Sequence, residues 1–103
     1  MTRWTPKDLK YLASLKGVPP WLTALTFVLW SALDEANHCR VTCWARDYLR
    51  KKGIDVRFSP DPDGVPRWWW YCWVNHDSRH SLKTEKAAIL AGLKSVEKGT
   101  DHA

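Results

Sequence analysis

Two pairs of potential metal ligands occur at helical spacing in this chain. Cys39 and Cys43 are four residues apart, and so are His76 and His80. Because side chains at i and i+4 lie on one side of a helical turn, each pair could present two donors to one zinc ion. Structural zinc sites usually have two residues between their cysteines, however, and the histidine pair falls in a predicted turn. We therefore expect both cysteines to be small buried side chains of a helix, and we expect no metal or other cofactor.

Two further groups of residues have types that are used in catalysis or calcium binding. Cys72 and His76 could be a nucleophile and its base, but Cys72 lies in an apolar segment where no adjacent charge would favour a thiolate. The motif Asp61-x-Asp63-Gly64 has the opening residues of a calcium loop but lacks the remaining ligands and the closing glutamate. The sequence therefore predicts a turn at this motif and a protein that is not an enzyme.

The segment from Trp68 to Val74 is dense in aromatic residues, and it is the most informative part of the chain. A β-strand sends alternate side chains to opposite faces. One row would then hold Trp68, Trp70, Cys72 and Val74, and the other would hold Trp69, Tyr71 and Trp73. One possibility is that packing covers both rows. The other is that one row stays partly exposed as a binding surface, since Trp, Tyr and Arg are enriched at interface centres and aromatic rings also stack on unpaired bases.

The preceding strand indicates which row faces water. Ile54, Val56 and Phe58 alternate with polar residues, so that strand has a single apolar face. Cysteine and valine are typical buried residues, which assigns the row of Cys72 and Val74 to the drier side. The predicted partner-binding residues are the other row, the arginines that flank it and two arginines of the preceding helix: Trp69, Tyr71, Trp73, Arg57, Arg67, Arg46 and Arg50.

The charge balance favours an acidic partner. The chain carries 16 Lys and Arg against 11 Asp and Glu, a net charge of +5, and basic residues concentrate between Arg40 and Arg57. This segment could follow phosphates, or it could be a solvated helix face; it contains no motif that reads bases. Any nucleic-acid binding is expected to be weak, non-specific and sensitive to salt. We predict a protein or ribonucleoprotein partner with an acidic surface, and a nucleic-acid-binding module is the alternative.

The number of cysteines indicates a cytoplasmic protein, and the one long uncharged stretch of the chain does not indicate a membrane span. Three cysteines are an odd number, and a chain of 103 residues has enough core to fold without disulfides. No residue between Gly17 and Leu33 is charged, but this run is shorter than the ~20 residues of a membrane span and contains polar Thr23 and Thr26. A membrane span is therefore not expected. A signal peptide is not expected either, because the basic segment before the apolar run is too long and no small-x-small cleavage site follows it.

Helices must position many of these residues, and the sequence indicates four. Thr5 caps a first helix that ends at Gly17, and Thr84 caps a last helix that ends at Gly99. The second, over residues 20–33, is apolar on nearly its whole circumference and is expected to be the central core element. The third, up to Gly53, is amphipathic from residue 41. No Gly or Pro lies between residues 20 and 53, so the second and third could also be one long bent helix.

The predicted fold class is α+β, in a single small domain over residues 1–103. Two strands, 54–59 and 67–74, flank a loop rich in turn-forming residues and are expected to pair as an antiparallel β-hairpin. Ser81 and Leu82 could add a short third strand. The expected order is three N-terminal helices, the hairpin and a C-terminal helix (ααα-ββ-α), with residues 100–103 as a frayed tail. We expect the hairpin to pack against the second and fourth helices.

The C-terminal third combines an aromatic strand, a polar turn and a helix rich in alanine, which Thr84 caps and which opens with the motif Thr84-Glu85-x-Ala87. In this respect it resembles small accessory proteins of phages and mobile elements, including some anti-CRISPR proteins. The resemblance implies a non-enzymatic inhibitor that occupies a surface of a host defence complex, often a surface meant for nucleic acid. It assigns no functional residue.

Overall fold

The computed structural model describes residues 3–27 and 33–101, including the side chains of residues 3–27 and 33–97. Within these ranges the chain is α+β, with four helices and one three-stranded antiparallel sheet. The elements in chain order are α1 (Pro6–Ala13), α2 (Pro20–Leu25), α3 (Glu35–Lys51), β1 (Ile54–Pro60), β2 (Pro66–Cys72), β3 (Ser78–Leu82) and α4 (Glu85–Asp101). They fall into two compact units, residues 1–42 and 43–103. None of the helices within the described ranges is long and apolar enough to cross a membrane.

Trp4 organises the first unit, because it is fully buried although it precedes the first helix. Its backbone N–H donates to Nδ1 of His38 at 2.9 Å, and its indole N–H donates to Oγ1 of Thr42 at 2.9 Å. The Thr42 hydroxyl donates in turn to the carbonyl oxygen of His38 at 3.0 Å. Buried polar groups are tolerated when they are hydrogen-bonded, so this network fastens the segment before α1 to α3.

The first helix begins where the sequence predicts. Thr5 and Asp8 form a capping box, in which the Thr5 hydroxyl accepts from the Asp8 N–H and the Asp8 carboxylate accepts from the Thr5 N–H. The helix ends at Ala13, and the chain then turns through Gly17, whose φ of 78° is readily adopted only by glycine.

The second and third helices are separate, so the alternative of one long bent helix is wrong. α2 begins at Pro20 as predicted but ends at Leu25. The predicted core helix continues over Val28, Leu29 and Ala32, which lie outside the described residues. α3 begins at Glu35, earlier than the apolar spacing predicts, because the carboxylate of Asp34 accepts the N–H of Asn37 at 2.8 Å and caps it.

The sheet of the second unit has the order β1-β2-β3, with one face turned toward α4. Ile54 pairs with Cys72 and Val56 with Trp70, and all four side chains are buried. A Cβ atom added at Gly92 of α4 would lie 3.5 Å from Ile54, which shows how closely the helix approaches this face. The predicted packing of the sheet against the fourth helix is confirmed, and its packing against the second helix stays a prediction.

The third strand, β3, extends the predicted hairpin to a three-stranded sheet; it contains Ser81 and Leu82, where the sequence allowed a short strand, but begins at Ser78. Its sequence is polar and its residues are exposed or half-buried, so it lacks the apolar alternation that reveals a strand. Backbone pairing with β2 defines it instead: Leu82 pairs with Trp68 and Arg79 pairs with Trp70. The register shift leaves one extra residue on β3, and Ser81 has a φ of 62° there.

Two predicted boundaries also differ. β2 ends at Cys72, so Trp73 and Val74 lie in the following turn and are 49% and 71% exposed; the prediction that Val74 is buried is wrong. α4 begins after Thr84, whose hydroxyl accepts the N–H of Ala87 at 3.0 Å, as predicted. It continues past Gly99 to Asp101.

The turn after α3 requires Gly53, because its φ is 90° and an added Cβ would lie 2.5 Å from the Val74 side chain.

Candidate functional site

The candidate site is the face of the sheet turned away from the buried side chains of Ile54 and Trp70, here called the open face. The register places Arg57 opposite Trp69 and Asp55 opposite Tyr71. Every side chain on this face is exposed or half-buried. Its members are Asp55, Arg57 and Ser59 on β1, Arg67, Trp69 and Tyr71 on β2, and Ser78 and His80 on β3.

Trp69 is the centre of the open face and is held by two neighbours. Its indole N–H donates to the hydroxyl of Ser59 on β1 at 2.7 Å. The imidazole ring of His80 on β3 stacks on it, with 4.9 Å between ring centroids and 10° between ring planes. The indole is therefore fixed across the three strands before any partner binds.

Tyr71 is held by a second histidine, through a hydrogen bond rather than a ring stack. Its hydroxyl oxygen lies 2.8 Å from Nδ1 of His76, which is in the turn before β3. The two ring centroids are 6.3 Å apart. Side chains two apart on a strand are separated by roughly 7 Å, so Trp69 and Tyr71 form one short aromatic row.

The predicted basic rim is largely balanced by acids within the chain. The Arg57 guanidinium donates to the Asp55 carboxylate at 2.7 Å, and Nε of Arg50 lies 4.0 Å from the same carboxylate. Arg67 pairs with Asp61 at 2.8 Å and with Asp63 at 3.0 Å. Three arginines thus face three aspartates, and their formal charges cancel.

The Arg67 contacts also close the loop between β1 and β2. The hydrogen bond from Arg67 lowers the pKa of Asp61, and the bond from the Val65 N–H lowers the pKa of Asp63. These carboxylates in turn raise the pKa of Arg67. The Ser81 hydroxyl donates to Asp61 at 2.7 Å and ties the loop to β3. The acidic motif is therefore a structural turn, as predicted, with carboxylates engaged by the protein itself.

Arg46 is not part of the open face, although the sequence analysis assigns it to partner binding. Its guanidinium donates to the Glu85 carboxylate of α4 at 3.0 Å and to the carbonyl oxygen of Val56 at 2.6 Å. It also lies 6.0 Å from the ring centroid of Trp68. Arg46 therefore joins α3, α4 and β1 on the helix-facing side of the sheet.

The rest of the basic segment is also engaged within the chain. The Arg40 guanidinium lies over the ring of Trp21 at 4.0 Å. Lys51 forms an ion pair with Asp47 at 3.4 Å, and the ammonium of Lys52 lies 5.7 Å from the ring centroid of Tyr48. These contacts are those of a solvated helix face rather than of a continuous track for phosphates.

The remaining candidates are not assembled into a site. Cys39 and Cys43 are exposed on α3, so the expectation that they are buried is wrong. No three His, Cys, Asp or Glu side chains within the described ranges are placed to hold a metal ion. Cys72 is buried on the helix-facing side, whereas His76 is bonded to Tyr71. Trp73 belongs to the turn after β2 and not to the strand row with Trp69.

The histidines are the site residues that the sequence analysis missed. Their spacing in the sequence points to zinc ligands, whereas the contacts of His76 with Tyr71 and of His80 with Trp69 depend on the turn and on the bulge at Ser81. No pattern in the sequence signals that bulge, because it is a property of the pairing between β2 and β3.

Comparisons of this chain with protein-family models, with curated protein sequences and with solved structures gave no significant match. The function is therefore inferred from the geometry of the open face.

Proposed function

We propose that the protein works without catalysis, by binding another protein through the open face. The observation that carries this proposal is the aromatic row of Trp69 and Tyr71, held in place on the middle strand with its surroundings exposed or half-buried. Rigid aromatic side chains with few rotamers to lose on binding are typical centres of protein interfaces. Arg57, opposite Trp69 in the register, adds a third residue type that such centres favour.

The charges favour a protein over a nucleic acid. Affinity for nucleic acid depends on positive charge that replaces phosphate counterions. Arg57 and Arg67 of the open face, and Arg50 of α3 beside it, are matched by carboxylates within 4.0 Å, so this surface offers little uncompensated positive charge. A neutral aromatic centre with a polar surround is the usual composition of a protein interface.

We extend the proposal to an inhibitor or modulator of a host protein complex in the cytoplasm, of the anti-CRISPR-like kind. The extension depends on the resemblance of the C-terminal third to small phage and mobile-element proteins. The free thiols of Cys39 and Cys43 are exposed, and exposed thiols persist in a reducing compartment. An inhibitor needs only to cover a surface of its target, which is what the open face can do.

The test is capture from a bacterial lysate treated with nuclease, using the wild-type chain and a Trp69→Ala/Tyr71→Ala variant. Loss of two central aromatic anchors is expected to weaken binding by about 2 kcal/mol or more, roughly 30-fold. Trp44→Ala is the matched control, because Trp44 is also half-buried and contacts Tyr48 on α3. Far-UV circular dichroism confirms that each variant is folded.

Two results would count against this function. If the wild-type chain and the Trp69→Ala/Tyr71→Ala variant capture the same protein equally well, the binding surface lies elsewhere. Capture that disappears after nuclease treatment would favour the nucleic-acid-binding alternative.

A further inference from the structure

Each aromatic residue of the open face has a histidine as its direct neighbour. His80 stacks on Trp69 at 4.9 Å, and Nδ1 of His76 lies 2.8 Å from the hydroxyl oxygen of Tyr71. Both histidines are exposed to solvent. Histidine is the side chain whose charge ordinarily changes near neutral pH, so a proton taken up by either one is placed directly against an anchor of the site.

The backbone that carries these histidines is unusual. Among the described residues, His76 and Ser81 are the two non-glycine residues with positive φ, at 61° and 62°. Such conformations are uncommon for residues with a Cβ, and strained backbone of this kind clusters at functional sites. The positive φ of His76 sets the position of that residue itself. The positive φ of Ser81 accompanies the bulge that places His80 over Trp69.

Other charged groups near the histidines decide what a proton would change. Besides the hydrogen bond from Arg67, the charge of His80 contributes to lowering the pKa of Asp61 in the loop between β1 and β2. Arg79 and Asp77 flank the histidines along the chain. Arg57 and Asp55 lie opposite Trp69 and Tyr71 on β1, where they pair with each other. Because Arg50, Arg57 and Arg67 are already matched by Asp55, Asp61 and Asp63, protonation of both histidines would add two uncompensated positive charges to the open face.

Protonation also fixes the direction of the Tyr71–His76 hydrogen bond, which in the neutral ring depends on the tautomer. An imidazolium donates from both ring nitrogens, so Nδ1 of a charged His76 must donate to the Tyr71 oxygen. The hydroxyl proton of Tyr71 is then directed away from His76, where it can be donated to a partner. A charged His80 stays favourable on Trp69, because a cation is attracted to the face of an indole ring. The protonated face thus offers two cations and a hydroxyl donor, which are groups that bind carboxylates.

We propose that His76 and His80 make the open face a proton-dependent binding surface for an acidic protein segment, which binds more tightly when both imidazoles are charged. This inference rests on the proposed function and names the chemistry of the partner and its regulation. By linkage, binding of the acidic segment promotes protonation of the two histidines to the same extent.

The experiment uses a blocked hexaglutamate peptide as the probe, titrated into the full chain at about pH 8 and about pH 5.5, where its carboxylates stay largely ionised. The readout is the indole N–H resonance of Trp69 in NMR spectra, identified with a Trp69→Phe variant. We expect affinity for the peptide to rise about tenfold at the lower pH, within the usual range for coupled binding events. The His76→Gln/His80→Gln variant is the matched control, because it keeps every other titratable group and should change less than twofold.

The inference is overturned if the double glutamine variant shows the same rise, since other groups would then cause it. It is also overturned if wild-type affinity does not change with pH or if the Trp69 resonance does not respond to the peptide. These failures leave the lysate capture experiment unaffected. Loss of capture in that experiment, by contrast, would remove the proposed function and this inference together.

Discussion

Replacing Arg46 by Ala should destabilise the fold, whereas replacing Arg50 by Ala should not. Both arginines lie on α3 one turn apart, and the sequence assigns them the same role. In the structure the Arg46 side chain is 29% exposed and bonded to both Glu85 and the Val56 carbonyl. The Arg50 side chain is 56% exposed and only 4.0 Å from its carboxylate partner.

The expected magnitude follows from these contacts. A hydrogen bond to a charged group contributes roughly 1.5 to 3 kcal/mol when it is buried, and an exposed ion pair contributes about 0 to 1 kcal/mol. The Arg46 and Glu85 side chains are 29% and 17% exposed, so their pair is only partly screened. Nε of Arg46 has no hydrogen-bond partner among the described residues, which reduces the net gain. We therefore expect Arg46→Ala to lower the free energy of unfolding by about 2 kcal/mol and Arg50→Ala by about 0.5 kcal/mol or less.

Urea denaturation at neutral pH, followed by circular dichroism, measures both changes. An Arg46→Lys variant keeps the charge but cannot donate to Glu85 and Val56 through one planar group, so we expect an intermediate loss of about 1 kcal/mol. Equal losses for Arg46→Ala and Arg50→Ala would refute the assignment of Arg46 to the join between α3, α4 and β1. A full recovery of stability in Arg46→Lys would show that charge alone matters.

Three further predictions test other parts of the structure. Gly53→Ala should lower the free energy of unfolding by about 1 kcal/mol more than Gly64→Ala. Both glycines have positive φ, but only at Gly53 would an added Cβ meet another side chain. Denaturation curves of equal midpoint for the two variants would contradict this. The pKa of Asp61 is lowered in the folded state, so its contribution to stability is present above its ordinary pKa of 3.8 and is lost as the pH falls below that value. Unfolding measured against pH should therefore show a steeper acid loss for the wild type than for Asp61→Asn. Trp4→Phe removes the indole donor to Thr42 and leaves part of a fully buried site unfilled, so it should cost about 2 kcal/mol in the same assay. An unchanged midpoint would contradict the role of Trp4 in the core of the first unit.

Features that depend on neighbours in sequence were predictable. The caps at Thr5 and Thr84 follow from the sequence, because a capping side chain bonds to a backbone group three residues away. The start of α2 follows from Pro20, because proline is favoured at the first helical position. The alternation of Ile54 and Val56 with polar residues was sufficient to identify β1 and its buried face, since a strand has a fixed period of two. The choice of Trp69 and Tyr71 for the wetter face agrees with the register of the sheet.

Features that depend on pairing across the chain were predicted only in part, since the sequence allowed a third strand at Ser81 and Leu82 but not its start at Ser78. β3 has no apolar alternation, so only its hydrogen bonds with β2 make it a strand. Trp73 was assigned to the aromatic row because the period-2 pattern continues past Cys72, but pairing stops there and its N–H donates to the Gly53 carbonyl at 3.0 Å instead. A side-chain pattern cannot show where backbone pairing ends.

The sequence by itself therefore determined the α+β class, the main helix starts and the aromatic strand, since each follows from local bonding or from a short period. Only the tertiary structure decided what the charged and aromatic residues do. It placed Arg46 between elements on the helix-facing side, matched the arginines of the open face with aspartates, and brought His76 and His80 to Tyr71 and Trp69. The physical reason is that ion pairs and ring contacts act over a few ångströms between residues that only the strand register and the bulge bring together.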